Sequence, residues 1–267
     1  ETPVSVTLSN GASIVIAAGA SSGMLSIPAP ADDVYVDAGT VSATISAATG
    51  GNFENLAINP TPAITGVSDT LDVTTIALTA SPSVAEGGSI VYTASLDRPA
   101  GSPVTVTLSN GATLTIASGA SSASISVAAP GDDAYIDAGS VSASIASVSG
   151  GNFEVLAIDP AVATTAITDT LNMTTLDLTA SASVVEGGTV TYTASVNQNV
   201  TGSPLLVSLS NGLTISIPVG ALHASVNLAA ADDVYAGGHS LAVTVTGTSG
   251  ANYENLVVGN GAAGNPA

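Results

Sequence analysis

The sequence predicts an all-β protein built from tandem copies of one β-sandwich unit. Short motifs recur along the chain at intervals of about 100 residues. Within each interval, apolar and polar side chains alternate with a period of two, and the apolar residues are mostly Val, Ile, Leu and Ala mixed with Thr and Ser. No stretch follows the 3.6-residue period of an amphipathic helix, so we predict no helix.

The most charged motif is an acidic loop that occurs three times. It reads Asp-Asp-Val-Tyr-Val-Asp at 32–37, Asp-Asp-Ala-Tyr-Ile-Asp at 132–137 and Asp-Asp-Val-Tyr-Ala-Gly at 232–237. A Glu-Gly-Gly motif and a glycine-rich block that ends in glutamate recur at the same interval. A chain that repeats its most charged loop at a fixed interval consists of copies of one unit.

The repeat boundaries are expected near 71/72 and 171/172, because the segment 68–72 recurs at 168–172. Residues 1–71 then form a partial repeat that lacks its first strands. Residues 72–171 form a complete repeat, and residues 172–267 form a third, divergent one. The pattern begins and ends inside a repeat, so we expect the chain to be a segment of a longer protein.

Within the complete repeat, alternation predicts seven strands of five to eight residues. They cover 74–80, 89–96, 104–109, 112–116, 122–127, 141–147 and an extended stretch that ends near 168. Asn110-Gly111 separates two of them and predicts a hairpin with a type I′ turn. This pattern indicates antiparallel immunoglobulin-like β-sandwich repeats arranged end to end.

Alternating strand direction places the carboxylates at the two poles of each sandwich. One pole of the complete repeat carries Glu86, the acidic loop and Asp169, and the opposite pole carries Asp97, Glu154 and Asp72. Short connections would press the acidic pole of one repeat against the acidic pole of the next. Such a junction repels itself unless a cation neutralises it.

The charge balance favours metal cations as partners. The 267 residues contain 20 acidic side chains and one basic side chain, Arg98, which gives a net charge of −19. This charge disfavours nucleic acid and anionic membrane surfaces. No run approaches the 18 apolar residues of a membrane-spanning helix, so we predict no direct membrane insertion. Cysteine is absent, and disulfides therefore do not stabilise the chain.

Calcium is the predicted cofactor, because it takes six to eight oxygen ligands from carboxylates, carbonyls and water. The alternative is that these acidic residues only decorate exposed loops and keep the protein soluble. The third copy has Gly237 where the others have Asp37 and Asp137, which predicts a weaker or differently built site there. The candidate calcium ligands are Glu86, Asp132, Asp133, Asp137, Asp169, Asp32, Asp33, Asp37, Asp69, Glu186, Asp232 and Asp233.

Other residues give weaker signals. His223 and His239 lack metal-ligand spacing and are interpreted as ordinary surface residues. Nothing places a nucleophile beside a base and an orienting acid, and the chain offers few aromatic residues on which a sugar could stack, so we predict no enzymatic activity. Tyr35, Tyr92 and Tyr135 are interpreted as core or corner tyrosines.

Several of these motifs resemble a known family. The blocks at 29–39, 50–56, 83–88 and 104–111 are similar to the tandem immunoglobulin-like repeats of giant type I-secreted bacterial adhesins, the LapA-like and RTX adhesin group. Individual repeats also resemble Calx-β domains, in which an early Glu-Gly and a later Asp-Asp contribute to calcium binding. The resemblance carries that role to Glu86 and to the pair at 132–133.

The resemblance implies a calcium-stiffened extender that projects a distal binding domain from the bacterial surface for biofilm formation or attachment. It implies an extracellular location, either anchored to the outer membrane or secreted. The expected partners are the neighbouring repeats of the same chain, with any surface ligand bound elsewhere in the parent protein. Two alternatives remain open: a filament subunit assembled as a homopolymer by strand complementation, and a carbohydrate- or protein-binding module.

Overall fold

The computed structural model describes residues 2–232, 234 and 241–263. These residues form strands, turns and loops and contain no helix, which confirms the predicted all-β class of tandem sandwich repeats. The chain divides into two compact units. The first consists of Glu1–Leu78, Thr93–Ser124 and Ser144–Ala161. The second consists of Thr79–Tyr92, Ile125–Ala143 and Val162–Ala267. Each unit therefore contains one complete meeting point of consecutive repeats.

The first repeat contributes five strands. They are β1 (Val4–Leu8), β2 (Ser13–Ile16), β3 (Gly39–Ala43), β4 (Ile45–Gly50) and β5 (Ala63–Val67). They form one sheet in the order β2-β1-β4 and a two-stranded sheet of β3 and β5.

The second repeat contributes ten strands. They are β6 (Val73–Ala80), β7 (Ser83–Ala85), β8 (Ser89–Leu96), β9 (Val104–Leu108), β10 (Thr113–Ile116), β11 (Ser122–Ala128), β12 (Gly139–Ala143), β13 (Ile145–Gly150), β14 (Val155–Ile158) and β15 (Ala163–Thr168). The sheet orders are β10-β9-β13, β11-β8-β6-β14 and β12-β15-β7. Most neighbours are antiparallel, but β14 runs parallel to β6 and β15 runs parallel to β7.

The third repeat follows the same plan. Its described strands are β16 (Met173–Ala180), β17 (Thr189–Val196), β18 (Leu205–Leu209), β19 (Thr214–Ile217), β20 (His223–Ala229), β21 (Val243–Ser249), β22 (Asn255–Val258) and β23 (Ala262–Ala263). They form sheets in the orders β20-β17-β16-β22 and β19-β18-β21-β23.

Of the ten strands of the second repeat, nine correspond to the seven predicted ones, because two predicted strands are each interrupted once, and β7 is an additional strand that was not predicted. Pro82 separates β6 from β7 and Pro160 separates β14 from β15, because proline cannot donate a backbone hydrogen bond. The third break lies at Ser144, where the chain leaves β15 and joins β9. There the Ser144 N–H donates to Ser109 Oγ over 3.1 Å, which stabilises the change of partner.

The predicted hairpin between β9 and β10 is confirmed, but its turn is not type I′. Gly111 alone has a positive φ, +84°, whereas a type I′ turn needs two such residues. The Leu108 N–H donates to the Ala112 carbonyl over 2.8 Å, so the loop has three residues and ends in left-handed glycine. The Asn110 side chain accepts from the Ala112 N–H over 3.1 Å, which favours this longer loop.

Alternate side chains of the central strands point inward and form the cores. Ile76, Ile90 and Tyr92 of the second repeat are at most 1% exposed, and Leu176 and Tyr192 of the third repeat are fully buried. Each such side chain contributes about 1.5–3 kcal/mol by leaving water. The prediction that Tyr92 is a core residue is confirmed.

Candidate metal centre at the repeat junctions

Three acidic segments of the second repeat meet within the second compact unit. The Glu86 N–H donates to the Thr168 carbonyl over 3.0 Å, and the Gly87 N–H donates to the Pro130 carbonyl over 2.7 Å. Gly87 has a φ of +68°, a left-handed conformation that favours glycine at this turn, and it lies in contact with Asp132. The turn with Glu86, the acidic loop and the end of β15 therefore lie together, as strand direction predicted.

The centre of this meeting point is a carboxylate cage formed by Glu86, Asp169 and Glu254. One oxygen from each lies within 4.8 Å of the others. Glu86 is only 7% exposed. Glu86 Oε2, Asp169 Oδ1 and Glu254 Oε1 are all buried without a hydrogen-bond partner. Buried carboxylates this close to one another favour a bound proton or cation, because no protein donor reaches these oxygens to compensate their charge.

Glu254 brings the third repeat into the cage. Its Oε2 accepts a hydrogen bond from the Asn172 N–H over 2.7 Å, while its Oε1 is buried without a hydrogen-bond partner. We call this contact, between the acidic pole of the second repeat and Glu254 of the third, the second junction. Glu254 was not among the predicted ligands. The recurrence of glutamate at 54, 154 and 254, together with the pole-to-pole argument, was the signal that could have identified it.

The surroundings of Glu86 favour its neutral form. The pKa of Glu86 is raised from 4.5 to about 7, first by a hydrogen bond with Asp137, then by burial and by the charges of Asp137, Asp169 and Asp133. Asp137 therefore lies beside the cage as a further oxygen donor. A divalent cation would reverse this preference, because it stabilises the ionised carboxylates.

Asp132 and Asp133 shape the second junction through hydrogen bonds. The Thr170 hydroxyl and the Asn172 amide donate to the two oxygens of Asp132, which lowers the pKa of Asp132. The same Asn172 amide donates to the Asp133 carbonyl over 2.6 Å, and the Asp133 side chain accepts from the Tyr135 N–H over 2.8 Å. These two predicted ligands hold the loop in place, outside the group of three that forms the cage.

The first junction, where the loop 29–39 meets Glu154 within the first compact unit, gathers the equivalent residues. Asp69 Oδ2 accepts from the N–H groups of Asp37 and Ala38 over 3.1 and 3.0 Å, and Glu154 Oε2 accepts from the Asp72 N–H over 2.6 Å. The charge of Asp33, followed by burial and Asp69, raises the pKa of Asp37.

An open cleft of about 440 Å³ lies at the first junction, enough for several waters or ions. Its acidic lining consists of Asp32, Asp33, Asp37, Asp69 and Glu154. The Thr70 hydroxyl donates to Asp32 over 2.5 Å, as Thr170 does to Asp132. Residues 1–71 contain no counterpart of Glu86, so this junction has two of the three cage positions, those of Asp69 and Glu154.

The third copy presents its acidic groups differently. Glu186 and Asp232 are exposed, and Cβ of Asp232 lies near Gly187. The predicted ligand Asp233 and the substituted position Gly237 lie outside the described residues, as does His239. A weaker third site therefore stays a prediction.

A tyrosine from each acidic loop reaches the next repeat. Tyr35 stacks on Phe153 with ring centroids 5.6 Å apart, and its hydroxyl donates to the Pro99 carbonyl over 2.7 Å. Tyr135 stacks on Tyr253 at 5.8 Å and packs against the hydrophobic core of the third repeat, so it is a core-packing residue as predicted, but of the next repeat. Sequence reasoning missed these contacts because it cannot show which surface a half-buried tyrosine meets.

Backbone pairing extends each of these contacts. The Ile136 N–H donates to the Asn252 carbonyl over 2.9 Å, and the Glu254 N–H donates to the Ala134 carbonyl over 3.1 Å. This short antiparallel bridge positions Glu254 for the cage. The same bridge joins Tyr35 to Phe153 at the first junction.

The chemistry of the cage fits a hard divalent cation. Every donor is oxygen, and Asp137, which is hydrogen-bonded to Glu86, lies close enough to add a ligand. Softer metals usually take histidine or cysteine, and the chain contains no cysteine. Among the described residues, no helix has the length and apolar character needed to cross a membrane.

Fold and junctions together define a protein of tandem β-sandwich repeats with acidic, oxygen-lined contacts between them. The LapA domain model matches three times, at residues 1–70, 72–170 and 172–265. The chain therefore belongs to the LapA domain family.

Two solved structures are similar to the chain. A tetra-tandem repeat in the extending region of a large adhesion protein aligns at 15% identity and a TM-score of 0.32, covering 98% of this chain and 64% of that chain. This chain thus spans less than two thirds of that structure's length. CBD12 from CALX1.2 aligns at 13% identity and a TM-score of 0.30, covering 64% of this chain and 80% of that chain. No curated protein matched the chain.

Proposed function

We propose that this chain is part of the extender region of a bacterial cell-surface adhesin, and that calcium ions stiffen its repeat junctions. Family membership supports the adhesin assignment. The carboxylate cage of Glu86, Asp169 and Glu254 carries the calcium proposal, since three buried and unpartnered carboxylate oxygens converge there. We also propose a structural and not a catalytic role, an extracellular location and repeat boundaries at 71/72 and 171/172.

Calcium would act by joining groups from two repeats. Glu86 and Asp169 belong to the second repeat, whereas Glu254 belongs to the third, so an ion held by all three opposes bending and separation at the junction. When bound, the ion supplies positive charge that offsets the repulsion among the carboxylates. Because only the folded arrangement brings the three groups together, calcium stabilises it by about 4 kcal/mol at a thousandfold excess over the dissociation constant.

The junction also has contacts that do not depend on an ion. Tyr135 stacks on Tyr253, and its hydroxyl donates to the Asn199 carbonyl over 2.8 Å. Asn172 ties the linker to Asp132 and Asp133. These contacts hold the two repeats in register, and the cage adds resistance to bending when calcium is present. Such a junction suits a spacer that keeps a distal domain away from the cell surface.

Small-angle scattering and single-molecule extension test this proposal. In excess calcium, we expect a longer maximum dimension and a higher unfolding force than in chelator. Asp169→Asn should give the chelator result in both conditions, whereas Glu54→Gln, an exposed control that is not a candidate ligand, should respond to calcium like the unmodified chain. Identical scattering profiles and unfolding forces with and without calcium would overturn calcium stiffening.

A further inference from the structure

The chain contains four Asn-Gly pairs, at 10–11, 110–111, 211–212 and 260–261. Asparagine is chemically labile, and a following glycine exposes it most, because glycine has no Cβ to keep its backbone nitrogen away from the asparagine side chain. In deamidation, the glycine nitrogen bonds to the asparagine Cγ, the Cγ–Nδ2 bond breaks, and ammonia leaves with the proton that the glycine nitrogen gives up. Water then opens the resulting succinimide to aspartate or isoaspartate. A hydrogen bond donated by the glycine N–H opposes the first step, because the nitrogen must lose that proton.

Three of the pairs lie in hairpin turns that restrain both reacting groups. In the second repeat, the Gly111 N–H donates to the Leu108 carbonyl over 2.9 Å, and Asn110 Oδ1 accepts from the Ala112 N–H over 3.1 Å. The turns at 10–11 and 211–212 contain the same two hydrogen bonds. Deamidation at these three asparagines therefore requires the hairpin to open first.

The fourth pair lies where the chain passes from β22 to β23, and its glycine nitrogen is not restrained in this way. The Asn260 N–H donates to the Asp177 carboxylate over 2.7 Å, and Asn260 Nδ2 donates to the Leu178 carbonyl over 3.2 Å. Among residues 2–232, 234 and 241–263, none accepts a hydrogen bond from the Gly261 N–H. The attacking nitrogen of this pair is therefore free.

The equivalent backbone N–H is capped in the other two repeats. The Ala161 N–H donates to Asp159 Oδ1 over 2.9 Å, and the Thr61 N–H donates to Asn59 Oδ1 over 3.0 Å. The third repeat has Gly259 at the capping position, which offers no side-chain acceptor, and it has asparagine where the other two have proline. It therefore combines a labile pair with the loss of the group that would restrain it.

We propose that Asn260 is a deamidation site of the folded chain, whereas the three hairpin asparagines are protected by their turns. The product carboxylate cannot donate to the Leu178 carbonyl, and it adds a negative charge beside Asp177. Conversion therefore weakens the place where the chain crosses between the two sheets of the third repeat. The site does not depend on a bound ion, so it stands apart from the proposed function.

Ageing the whole chain at mildly alkaline pH, with and without concentrated urea, tests this proposal. Mass spectrometry of proteolytic peptides gives the extent of conversion at all four asparagines in one sample. In the folded chain, Asn260 should convert about tenfold faster or more than Asn110 and Asn211, the difference expected from one restraining hydrogen bond. In urea, the four pairs should convert at similar rates. Conversion of Asn260 no faster than that of the hairpin asparagines in the folded chain would overturn the site.

A paired variant tests the missing cap. Gly259→Asp combined with Asp177→Ala gives the third repeat the residues of the second, which has Asp159 and Ala77 at these positions. The second change is needed because a Cβ at Gly259 would lie 2.7 Å from Asp177 Oδ1. The paired variant should slow conversion of Asn260 about tenfold relative to Asp177→Ala alone. Equal rates in these two variants would overturn the role of the cap.

The structural consequence has its own measurement. Asn260→Asp reproduces one product and should lower the melting temperature of the chain by several degrees. Asn110→Asp is the matched control at a hairpin, where the carboxylate can still accept from the Ala112 N–H, and it should change the melting temperature less. A melting temperature that Asn260→Asp leaves unchanged would overturn the weakening of the third repeat.

Discussion

At the scale of single residues, Glu86 is the carboxylate at the second junction that combines burial, an unpaired oxygen and several acidic neighbours. Its side chain is buried, one of its oxygens lacks a partner, and its neighbours Asp137, Asp169 and Asp133 all carry carboxylates. Such an environment is unfavourable for an ionised glutamate unless a cation is present. The effect of removing its charge should therefore change sign with the calcium concentration.

We expect Glu86→Gln to stabilise the chain in chelator and to destabilise it in excess calcium, relative to the unmodified protein. Glutamine removes the repulsion among the carboxylates but offers a poorer ligand. Calcium affinity at the second junction should fall about tenfold or more. Thermal unfolding in both buffers, together with calorimetric titration, measures the effect. Glu54→Gln, at an exposed glutamate that is not a candidate ligand, is the control, and a destabilisation of equal size in both buffers would contradict a cation site.

The raised pKa of Glu86 makes the folding stability of the calcium-free protein depend on pH. The folded protein without calcium binds a proton at Glu86 with a pKa of about 7, whereas the unfolded chain does so near 4.5. The folded state thus holds this proton more tightly, so the stabilising contribution of Glu86 is fully present below about pH 4.5 and is lost as pH rises through about 7. Urea unfolding in chelator between pH 5 and 7.5 should show this decline, and Glu86→Gln should largely remove it.

The two junctions differ at one linker position, which is Asn172 at the second junction and Asp72 at the first. Asn172 donates hydrogen bonds to Asp132 and Asp133, whereas the first junction has Asp72 at this position. We expect Asn172→Asp to lower the melting temperature in chelator by several degrees, because a carboxylate cannot donate and repels Asp132. The reciprocal change Asp72→Asn should raise it. Shifts of the same sign for both variants would refute this explanation of the difference.

At the scale of elements, each junction is a loop of one repeat paired with a turn of the next. In the second repeat the tight turn contains Gly151, whose φ is +91° and where a Cβ would lie 2.5 Å from the Phe153 ring, and in the third repeat Ala251 takes the equivalent position with a φ of +56°. The turn presents Phe153 to Tyr35 at the first junction, and the equivalent turn presents Tyr253 to Tyr135 at the second. The aromatic pair and the following glutamate are therefore positioned by the same turn.

We expect the hydroxyl and the ring of Tyr135 to make separable contributions. Tyr135→Phe removes the hydrogen bond to the Asn199 carbonyl and should cost about 1 kcal/mol. Tyr135→Ala also removes the stack on Tyr253 and should cost about 1–3 kcal/mol more. Chemical denaturation in chelator measures these losses without the ion. Equal losses for the two variants would show that the ring contributes nothing, and Tyr35→Ala tests the other junction.

At the scale of the whole molecule, calcium binding and unfolding should be coupled with a defined stoichiometry. The described residues contain one complete cage of three carboxylates, at the second junction. Unfolding of that unit should therefore become harder by about 1.4 kcal/mol for each tenfold increase in free calcium. Denaturation at a series of buffered calcium concentrations gives the slope. Asp169→Asn should flatten it, and a slope of zero in the unmodified chain would exclude the ion.

The two compact units of the chain do not coincide with its repeats. Both units cut through the second repeat, and each keeps one junction intact. Repeat periodicity in the sequence places boundaries at the linkers, because the linkers are where one copy ends. The compact units instead follow spatial packing. The acidic loops pack on the next repeat through aromatic stacking and backbone pairing, so loop and neighbouring repeat fall in the same unit.

The fold class and much of the site could be predicted from local pattern. Alternation with a period of two marked the strands, and the 100-residue recurrence marked the repeats, since both are properties of neighbouring positions along the chain. Strand direction alone brought the turn with Glu86, the acidic loop and Asp169 to one pole. Turn geometry was harder to predict from the sequence. The hairpin at Asn110 has a three-residue loop, which is favoured by the hydrogen bond that the Asn110 side chain accepts from the Ala112 N–H.

Tertiary structure alone decided which carboxylates share a site. Glu86, Asp169 and Glu254 lie far apart in sequence and come from two repeats, so their convergence depends on how one repeat packs on the next. The same packing assigns Asp132 and Asp133 to hydrogen bonds with Thr170 and Asn172 and leaves the oxygens of the cage unpaired. By itself, the sequence determined the charge, the strands and the repeats. The junction determined where that charge is concentrated, because burial and pairing are set by contacts between segments distant along the chain.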